Sequence, residues 1–239
     1  MTNPSAKSSW YEFLRSRRAG NDRRGYSGAR PDVVRLIARA PGQVLDVGCG
    51  AGMTGKLIRD IFPNATVFGI EMNPELAKTA REQSNQLFEG PLDDEDIQTS
   101  LGNAAPFDLI ICADVLEHMV DPAAALKRLE SLMTDDGFLI TSLPNVRHLS
   151  TFWRLGIMGR WPQNDRGIHD ATHLHFYARR DILELCQSVG LKLEKEKRNL
   201  RLLEPSAWTM PAAKLLDFWP FRGFLTFQYL HLWTRRRGD

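Results

Sequence analysis

The stretch Gln43–Ile58, QVLDVGCGAGMTGKLI, constrains this chain more than any other. Glycines stand at 48, 50, 52 and 55, four within eight residues. The apolar run QVLDV leads into them, and Thr54–Phe62, with helical character, leads out. Glycine tolerates positive φ and lets backbone approach a neighbour closely. A buried strand that ends in such a loop and passes directly into a helix opens a βα unit. Its two apolar faces then demand helices on both sides and further parallel strands.

The next hundred residues supply them. TVFGIE reads as a second strand. Asn73-Pro74-Glu75 starts a helix, with Asn as cap, Pro in the first turn and an acid behind it. NQLFEG is a weak third strand, and LDDEDIQTSL a short helix or loop. FDLIICAD is a strong fourth strand. Asp121-Pro122 opens a helix whose apolar face is Ala125, Leu126, Leu129, Leu132 and Met133. Asp135-Asp136-Gly137 ends it, and FLITSLP follows as a fifth strand. Right-handed crossovers make this a doubly wound, Rossmann-like α/β sheet. The alternation lapses over 145–177, a stretch rich in His, Arg, Trp and Gly. RRDILELCQSVG is a helix closed by Gly190, and LKLEKEK a half-exposed strand. A Pro- and Trp-containing insert spans about 200–222, and FLTFQYLHLW reads as a last strand with aromatics on its buried side.

Ahead of the sheet, residues 1–40 form a basic N-terminal helical segment, and 41–239 the main domain. RPDVVRLIARA places Val33, Val34, Ile37 and Ala38 on one helical face. Residues 1–30 hold seven Lys/Arg against Glu12 and Asp22, and Arg235, Arg236 and Arg237 lie near the other end. The plain reading is a pair of solvated termini; the sharper one is contact with an anionic membrane surface or substrate. The net charge of +2 gives no argument for nucleic acid. Three cysteines without metal-ligand spacing, Cys49, Cys112 and Cys186, fit a reducing compartment rather than a disulfide framework. With no apolar leader or membrane-length apolar run in view, a cytoplasmic protein, membrane-associated at most, is expected.

The glycine loop fits two patterns. Gly50, Gly52 and Gly55 match G-x-G-x-x-G, a pyrophosphate cradle and the mark of an NAD-type oxidoreductase. Asp46, Gly48, Gly50 and Gly52 match D-x-G-x-G-x-G. Asp46 discriminates between them. A carboxylate beside a pyrophosphate repels it, whereas a carboxylate beside an ammonium attracts it. S-adenosylmethionine carries an ammonium and a sulfonium and no phosphate. Glu71, 19 residues after Gly52, ends the second strand. An acid there suits ribose hydroxyls in nucleotide folds of either kind.

VLDVGCGAG, GIEMNPE, FDLIICADVLEHMVDP and GFLITSLPN, in that order, resemble the class I S-adenosylmethionine-dependent methyltransferases, most closely the group with a D-V-L-E-H-x-x-D-P segment. The resemblance covers about residues 30–195. It implies a mostly parallel seven-stranded sheet with the last strand antiparallel. It also implies S-adenosylmethionine as cofactor. Asp46, Gly48 and Gly50 would face the methionine part, with Gly52 allowing close packing. Glu71 would hold the ribose and Met72 lie against the adenine. Ala113 and Asp114 would line the cofactor. The chain departs from the family at EGPLDDED, where Leu92 or Asp93 takes the place of the usual adenine contact.

The acceptor needs a group that takes its proton, a task suited to histidine. His118, just past the fourth strand, is one candidate; packing the next turn is its plainer use. HDATHLH supplies His169, Asp170, His173 and His175. His173 as base with Asp170 orienting it competes with a loop whose histidines bond the scaffold. A metal is set aside because no second ligand cluster is evident. LPNVRH and GIHDATHLHFY resemble a subgroup linked to bacterial polysaccharide and glycolipid synthesis, with His175 in place of Arg. That implies O-methylation of a small polar or glycan-linked acceptor. Trp153 and Trp161 would stack on a sugar or fill a secondary core. A methyltransferase-like binding protein without catalysis is the third reading.

Overall fold

The computed structural model describes residues 28–202 and 221–236; the basic segment before 28 and most of the 200–222 insert fall outside the described residues. Seven strands form one sheet in the order β3-β2-β1-β4-β5-β7-β6. They are β1 (Gln43–Val47), β2 (Thr66–Glu71), β3 (Gln86–Glu89), β4 (Phe107–Ala113), β5 (Met133–Pro144), β6 (Leu191–Leu200) and β7 (Thr226–Arg235). Strands β1 to β5 are parallel, and β7 runs antiparallel to both β5 and β6. The expected doubly wound, seven-stranded architecture is therefore present.

The helices follow from local chemistry. They are α1 (Pro31–Val34), α2 (Met53–Ile61), α3 (Pro74–Gln83), α4 (Glu95–Ala104), α5 (Pro122–Ser131), α6 (Leu149–Thr151), α7 (Arg179–Ser188) and α8 (Arg222–Leu225). Asn73 caps α3, its side chain accepting the Glu75 and Leu76 N–H groups; Asp94 caps α4 and Asp121 caps α5 in the same manner. The acidic run after β3 is thus a helix rather than a loop. One sheet face packs Leu45, Val47, Ile110 and Cys112 against Leu101, Leu126, Leu129 and Ile182; the other packs Val44, Val67 and Leu109 against Val33, Leu36 and Ile58.

Three expectations need revision. The first helix is a single turn, because Leu36 and Ile37 donate to carbonyls three residues back, which tightens the chain; Leu36 joins the buried face with Val33 and Val34, Ile37 packs on it half-buried, and Ala38 is exposed. Strand β5 starts at Met133, ten residues before Leu143, with a register shift between Phe107 and Leu109 absorbing the Asp-Asp-Gly turn. Strand β7 is buried on both faces, since it lies between β5 and β6: Tyr229 and Trp233 join one core, Leu230 and Leu232 the other. The Trp233 indole N–H donates to Thr141 Oγ1 at 2.9 Å, giving the buried ring its polar partner.

Gly52 fixes how α2 meets α3. Its φ is +77°, and a Cβ there would stand 2.9 Å from Gln83 Cβ and 3.1 Å from Ala80 Cα. Gly52→Ala is expected to destabilise the fold by about 1–3 kcal/mol, through backbone strain and overpacking together. Urea unfolding of the variant checks this; an unchanged midpoint would contradict the close packing.

Candidate active site

The site lies at the carboxyl ends of the strands, where open α/β sheets bind ligands. Asp46 is the penultimate residue of β1 and is 4% exposed; Glu71 is the last of β2 and 3% exposed. The loop between them needs its glycines. Gly48 and Gly50 have φ of +66° and +58°, and a Cβ on Gly48 would meet Val115 Cγ2 at 2.5 Å. That path brings the Gly50 N–H to Glu71 Oε2 at 2.9 Å, while the Asn73 N–H donates to Glu71 Oε1 at 2.7 Å. Glu71 therefore joins the β1–α2 loop to the start of α3, and each of its oxygens keeps a second lone pair for a ligand hydroxyl.

Asp46 is held differently. Its Oδ2 has no hydrogen-bond partner among the described residues. Burial pushes its carboxyl up to about 7, and the neighbouring Glu71 charge adds to this, against a downward pull from Arg30. A buried, unpartnered carboxylate oxygen at a glycine loop is a place prepared for a donor, and an ammonium fits it.

These groups open on one cavity of about 1140 Å³, large enough for a nucleoside and a second small molecule. Asp46, Gly48, Gly50, Glu71, Met72, Leu92, Ala113 and Asp114 all line it, as do His118, Asp170 and His173. Gly52 does not; it faces α3. Gly55 likewise abuts Val67, so the third glycine of G-x-G-x-x-G packs helix on strand.

A charged network at the ends of β4 and β7 was not foreseen. Arg30 pairs with Asp114 and, at 2.9 Å, with Asp32; it also donates to Ser142 Oγ at 3.0 Å and Gln228 Oε1 at 3.1 Å. Gln228 Nε2 donates to Asp114 from the other side, and Asn199 Nδ2 to Asp32 Oδ2 at 2.8 Å. Asp114 is the described non-glycine residue with positive φ, +58°, which turns its carboxylate into this network. Burial would raise Asp32, but the hydrogen bond and charge of Arg30 hold it down at about 2. In sequence, Arg30 had been grouped with a basic tail. Its one available signal was the Pro31 helix start beside it. Gln228 was signalled by a polar side chain inside the run LTFQYLHL.

The histidines part company. Asn145 and Tyr177 bridge, closing the 145–177 insert at its two ends. Asn145 Nδ2 donates to the Gly223 and Thr226 carbonyls, and His148 Nε2 lies 2.8 Å from the Arg201 carbonyl, so the P-N-x-x-H segment fastens the insert to its surroundings. His169 is buried against Thr151 Oγ1 at 3.1 Å. His175 stacks on Tyr177. His173 instead meets His118 edge-on, ring centroids 4.6 Å apart, with its Nε2 3.9 Å from Glu117 Oε1. Asp170 orients Thr172, accepting its N–H at 2.8 Å and its hydroxyl at 2.6 Å, and Thr172 Oγ1 is 3.0 Å from His118 Nδ1. The described contacts run from Asp170 through Thr172 to His118, and from Glu117 to His173. Trp153 is 57% exposed, so it fills no core; Trp161 packs edge-on against His169 and Phe176. Arg235 binds Glu130 at 3.0 Å and Asp135 at 3.2 Å, which ties one arginine of the C-terminal group to the domain.

The family described as "Methyltransferase domain" matches residues 21–196, and this chain belongs to it. Among curated proteins, it is 35% identical over 121 residues to the ubiquinone biosynthesis O-methyltransferase of Xanthomonas campestris pv. campestris (strain B100), covering 48% of this chain and 49% of that one. The corresponding protein of Actinobacillus pleuropneumoniae serotype 5b (strain L20) is 28% identical over 163 residues, covering 65% and 68%. The chain spans about half the length of the first of these relatives. Among solved structures, a TehB-like SAM-dependent methyltransferase from Corynebacterium glutamicum superimposes with a TM-score of 0.53 at 19% identity, covering 98% of this chain and 100% of that one. The Burkholderia thailandensis 1,6-didemethyltoxoflavin-N1-methyltransferase, solved with bound 1,6-didemethyltoxoflavin and S-adenosylhomocysteine, gives 0.59 at 16%, covering 99% and 92%. Both agree on the fold. No helix of the described residues is long and apolar enough to cross a membrane.

Asp46 sets a pH dependence whose sign follows from its raised pKa. Between the ordinary carboxylate value of 3.8 and about 7, the folded state holds a proton that the unfolded state has lost. Asp46 thus opposes stability increasingly as pH rises through that window. The melting temperature of ligand-free protein, wild type minus Asp46→Asn, is expected to fall from pH 5 to pH 8. A flat difference would show that Asp46 titrates normally.

Proposed function

We propose that this chain is an S-adenosylmethionine-dependent O-methyltransferase acting on a hydroxyl of a small polar acceptor, free or glycan-linked. The observation that carries the reading is Asp46 Oδ2, buried and unpartnered beneath a positive-φ glycine loop. The family match to a methyltransferase domain supports it.

The residues present fit the cofactor. Asp46 would take the α-ammonium. The N-terminus of α2, whose cap Gly52 offers no side chain, would face the α-carboxylate. Glu71 would take the ribose hydroxyls on its remaining lone pairs, with Met72 and Leu92 providing apolar contact to the base. When bound, the cofactor supplies an electrophilic methyl group on a sulfonium. The chain's own work is to align the acceptor and manage its proton. The Glu117–His118–His173 cluster, lining the same cavity, is where a hydroxyl can give up its proton. Asp114, held by Arg30 and Gln228, forms a fixed wall between the two ends. The glycan part of the reading rests on the LPNVRH and GIHDATHLHFY segments. The named O-methyltransferase relatives support an oxygen acceptor.

Calorimetry is expected to show S-adenosylhomocysteine binding and no NAD binding, with Asp46→Asn weakening the former at least about tenfold by removing a charge-assisted contact. Tight NAD binding with no response to the nucleoside would reverse the assignment. Turnover of labelled S-adenosylmethionine with saccharide and phenol panels then tests the acceptor class. Cofactor binding without transfer to any hydroxyl would favour the non-catalytic binding protein.

A further inference from the structure

We propose that the stretch from Val146 to Asn164 docks this protein on an anionic lipid surface, with the aromatic side chains of its wide helical turn entering the headgroup layer. The inference rests on the exposure and charge of this stretch and does not depend on the methyl-transfer reading.

Large apolar side chains are exposed mainly in one place. Of the eleven that stand in solvent among the described residues, nine belong to the 145–177 insert. Phe152, Trp153, Leu155, Ile157, Met158 and Trp161 are each between 40% and 57% exposed. Single exposed apolar residues are ordinary on a protein surface, whereas a contiguous group marks a contact site. This group is contiguous along the chain. Helix α6 passes directly into the π-helical turn Phe152–Ile157, whose width is set by the Met158 N–H donating to the Trp153 carbonyl at 3.0 Å. None of the six residues of that turn is buried. A helix that is apolar round most of its circumference calls for apolar surroundings. Trp161 extends the group by packing edge-on against Phe176, itself 38% exposed.

These side chains do not serve the cavity. Among the described residues, its lining takes Arg154 and Arg166 from the insert but none of Phe152, Trp153, Leu155, Ile157 and Met158. Stacking on an acceptor inside the site therefore leaves them unexplained. The turn offers its arginine to the cavity and its aromatics to the outside, so the docking surface and the acceptor wall are one piece of chain.

Charge selects the occupant. Between Val146 and Asn164 the chain has Arg147, Arg154 and Arg160 and no Asp or Glu. Arg147 and Arg160 are exposed, one on each side of the apolar turn. The Arg147 guanidinium lies over the Phe224 ring, 4.9 Å from its centroid, and Phe221, three residues before Phe224, is a further exposed aromatic at 52%. Arginine and tryptophan together suit the edge of a bilayer. A tryptophan ring settles at the headgroup level with its N–H in water, and an arginine stem crosses apolar depth to reach phosphate. Apolar area and attraction to anionic lipid then act together. A second copy of this chain is a poorer occupant, because a twofold contact through this patch sets arginines against arginines.

The test is co-sedimentation of the full chain with vesicles of phosphatidylcholine alone and of phosphatidylcholine with about one third phosphatidylglycerol. Binding is expected to the phosphatidylglycerol vesicles at least about tenfold more tightly, and to weaken as salt rises. Phe152→Asp with Trp153→Asp is expected to weaken it at least about tenfold, and Arg147→Gln with Arg160→Gln at least about fivefold. All four positions are exposed, so urea midpoints are expected to hold. Brominated phosphatidylcholine in the anionic vesicles supplies a second measure: it is expected to quench the tryptophan emission of the wild type, and that of Trp153→Phe less. No sedimentation with either vesicle, or equal binding to both compositions, would overturn the inference. Wild-type binding by the doubly Asp-substituted chain would overturn it in favour of the basic termini. A dimer that this variant dissolves, with no vesicle binding, would assign the patch to a second copy instead.

Discussion

Two carboxylates close neighbouring parallel strands, and the loop over them is shaped by that. Glu71 is satisfied by backbone: it receives the Gly50 and Asn73 N–H groups, one on each oxygen. To deliver the Gly50 N–H, the chain must pass through positive φ at Gly48 and Gly50, and it must do so against Val115 with no Cβ in the way. Asp46 then lies beneath a loop whose turn has been fixed by its neighbour, with one oxygen left over. The cavity, the position of α2 and the start of α3 all follow from this arrangement. A residue in place of Glu71 that could not accept two N–H groups would release both turns at once.

The cofactor half of the site was legible because it is local. Asp46, Gly48 and Gly50 are near neighbours in sequence, and Glu71 is placed by a single βα unit of ordinary length. Apolar runs that end in glycine or acid, and helices that begin Asn-Pro or Asp-Pro, identify strand ends without any tertiary information. Gly52 was expected to allow close packing, but what it packs against, Ala80 and Gln83 about thirty residues away, is not something loop spacing encodes.

The acceptor half was read less well because it is assembled at long range. Pattern alone gave three histidines in one short segment, with His173 as base weighed against a loop whose histidines bond the scaffold. The fold separates them: His169 goes into the insert's interior, His175 onto Tyr177, and His173 alone across to His118. Asp170 seemed the natural partner of His173 by proximity in sequence; in the fold its Oδ1 accepts both the N–H and the hydroxyl of Thr172.

Charge at the loop end of the cavity bears on the two nucleotide readings. Among the described residues, the lining charges at the ends of β1, β2 and β4 and the start of α1 are Asp32, Asp46, Glu71 and Asp114 against the guanidinium of Arg30. Arg30 is already paired with Asp32 and Asp114. Asp32 keeps its charge to about pH 2, so the pairing is permanent under any ordinary condition. A pyrophosphate brought to the glycine loop would meet Asp46 and Glu71 with Arg30 already engaged, in a place where burial strengthens the repulsion. The other arginines of the cavity, Arg128 and Arg154 among them, come from α5 and the 145–177 insert. A ligand that presents an ammonium and a sulfonium meets the same groups as an attraction. Asp46 is the group that feels the difference most: an ammonium beside it lowers the pKa that burial has raised, so binding at neutral pH releases a proton and locks the carboxylate in its charged form.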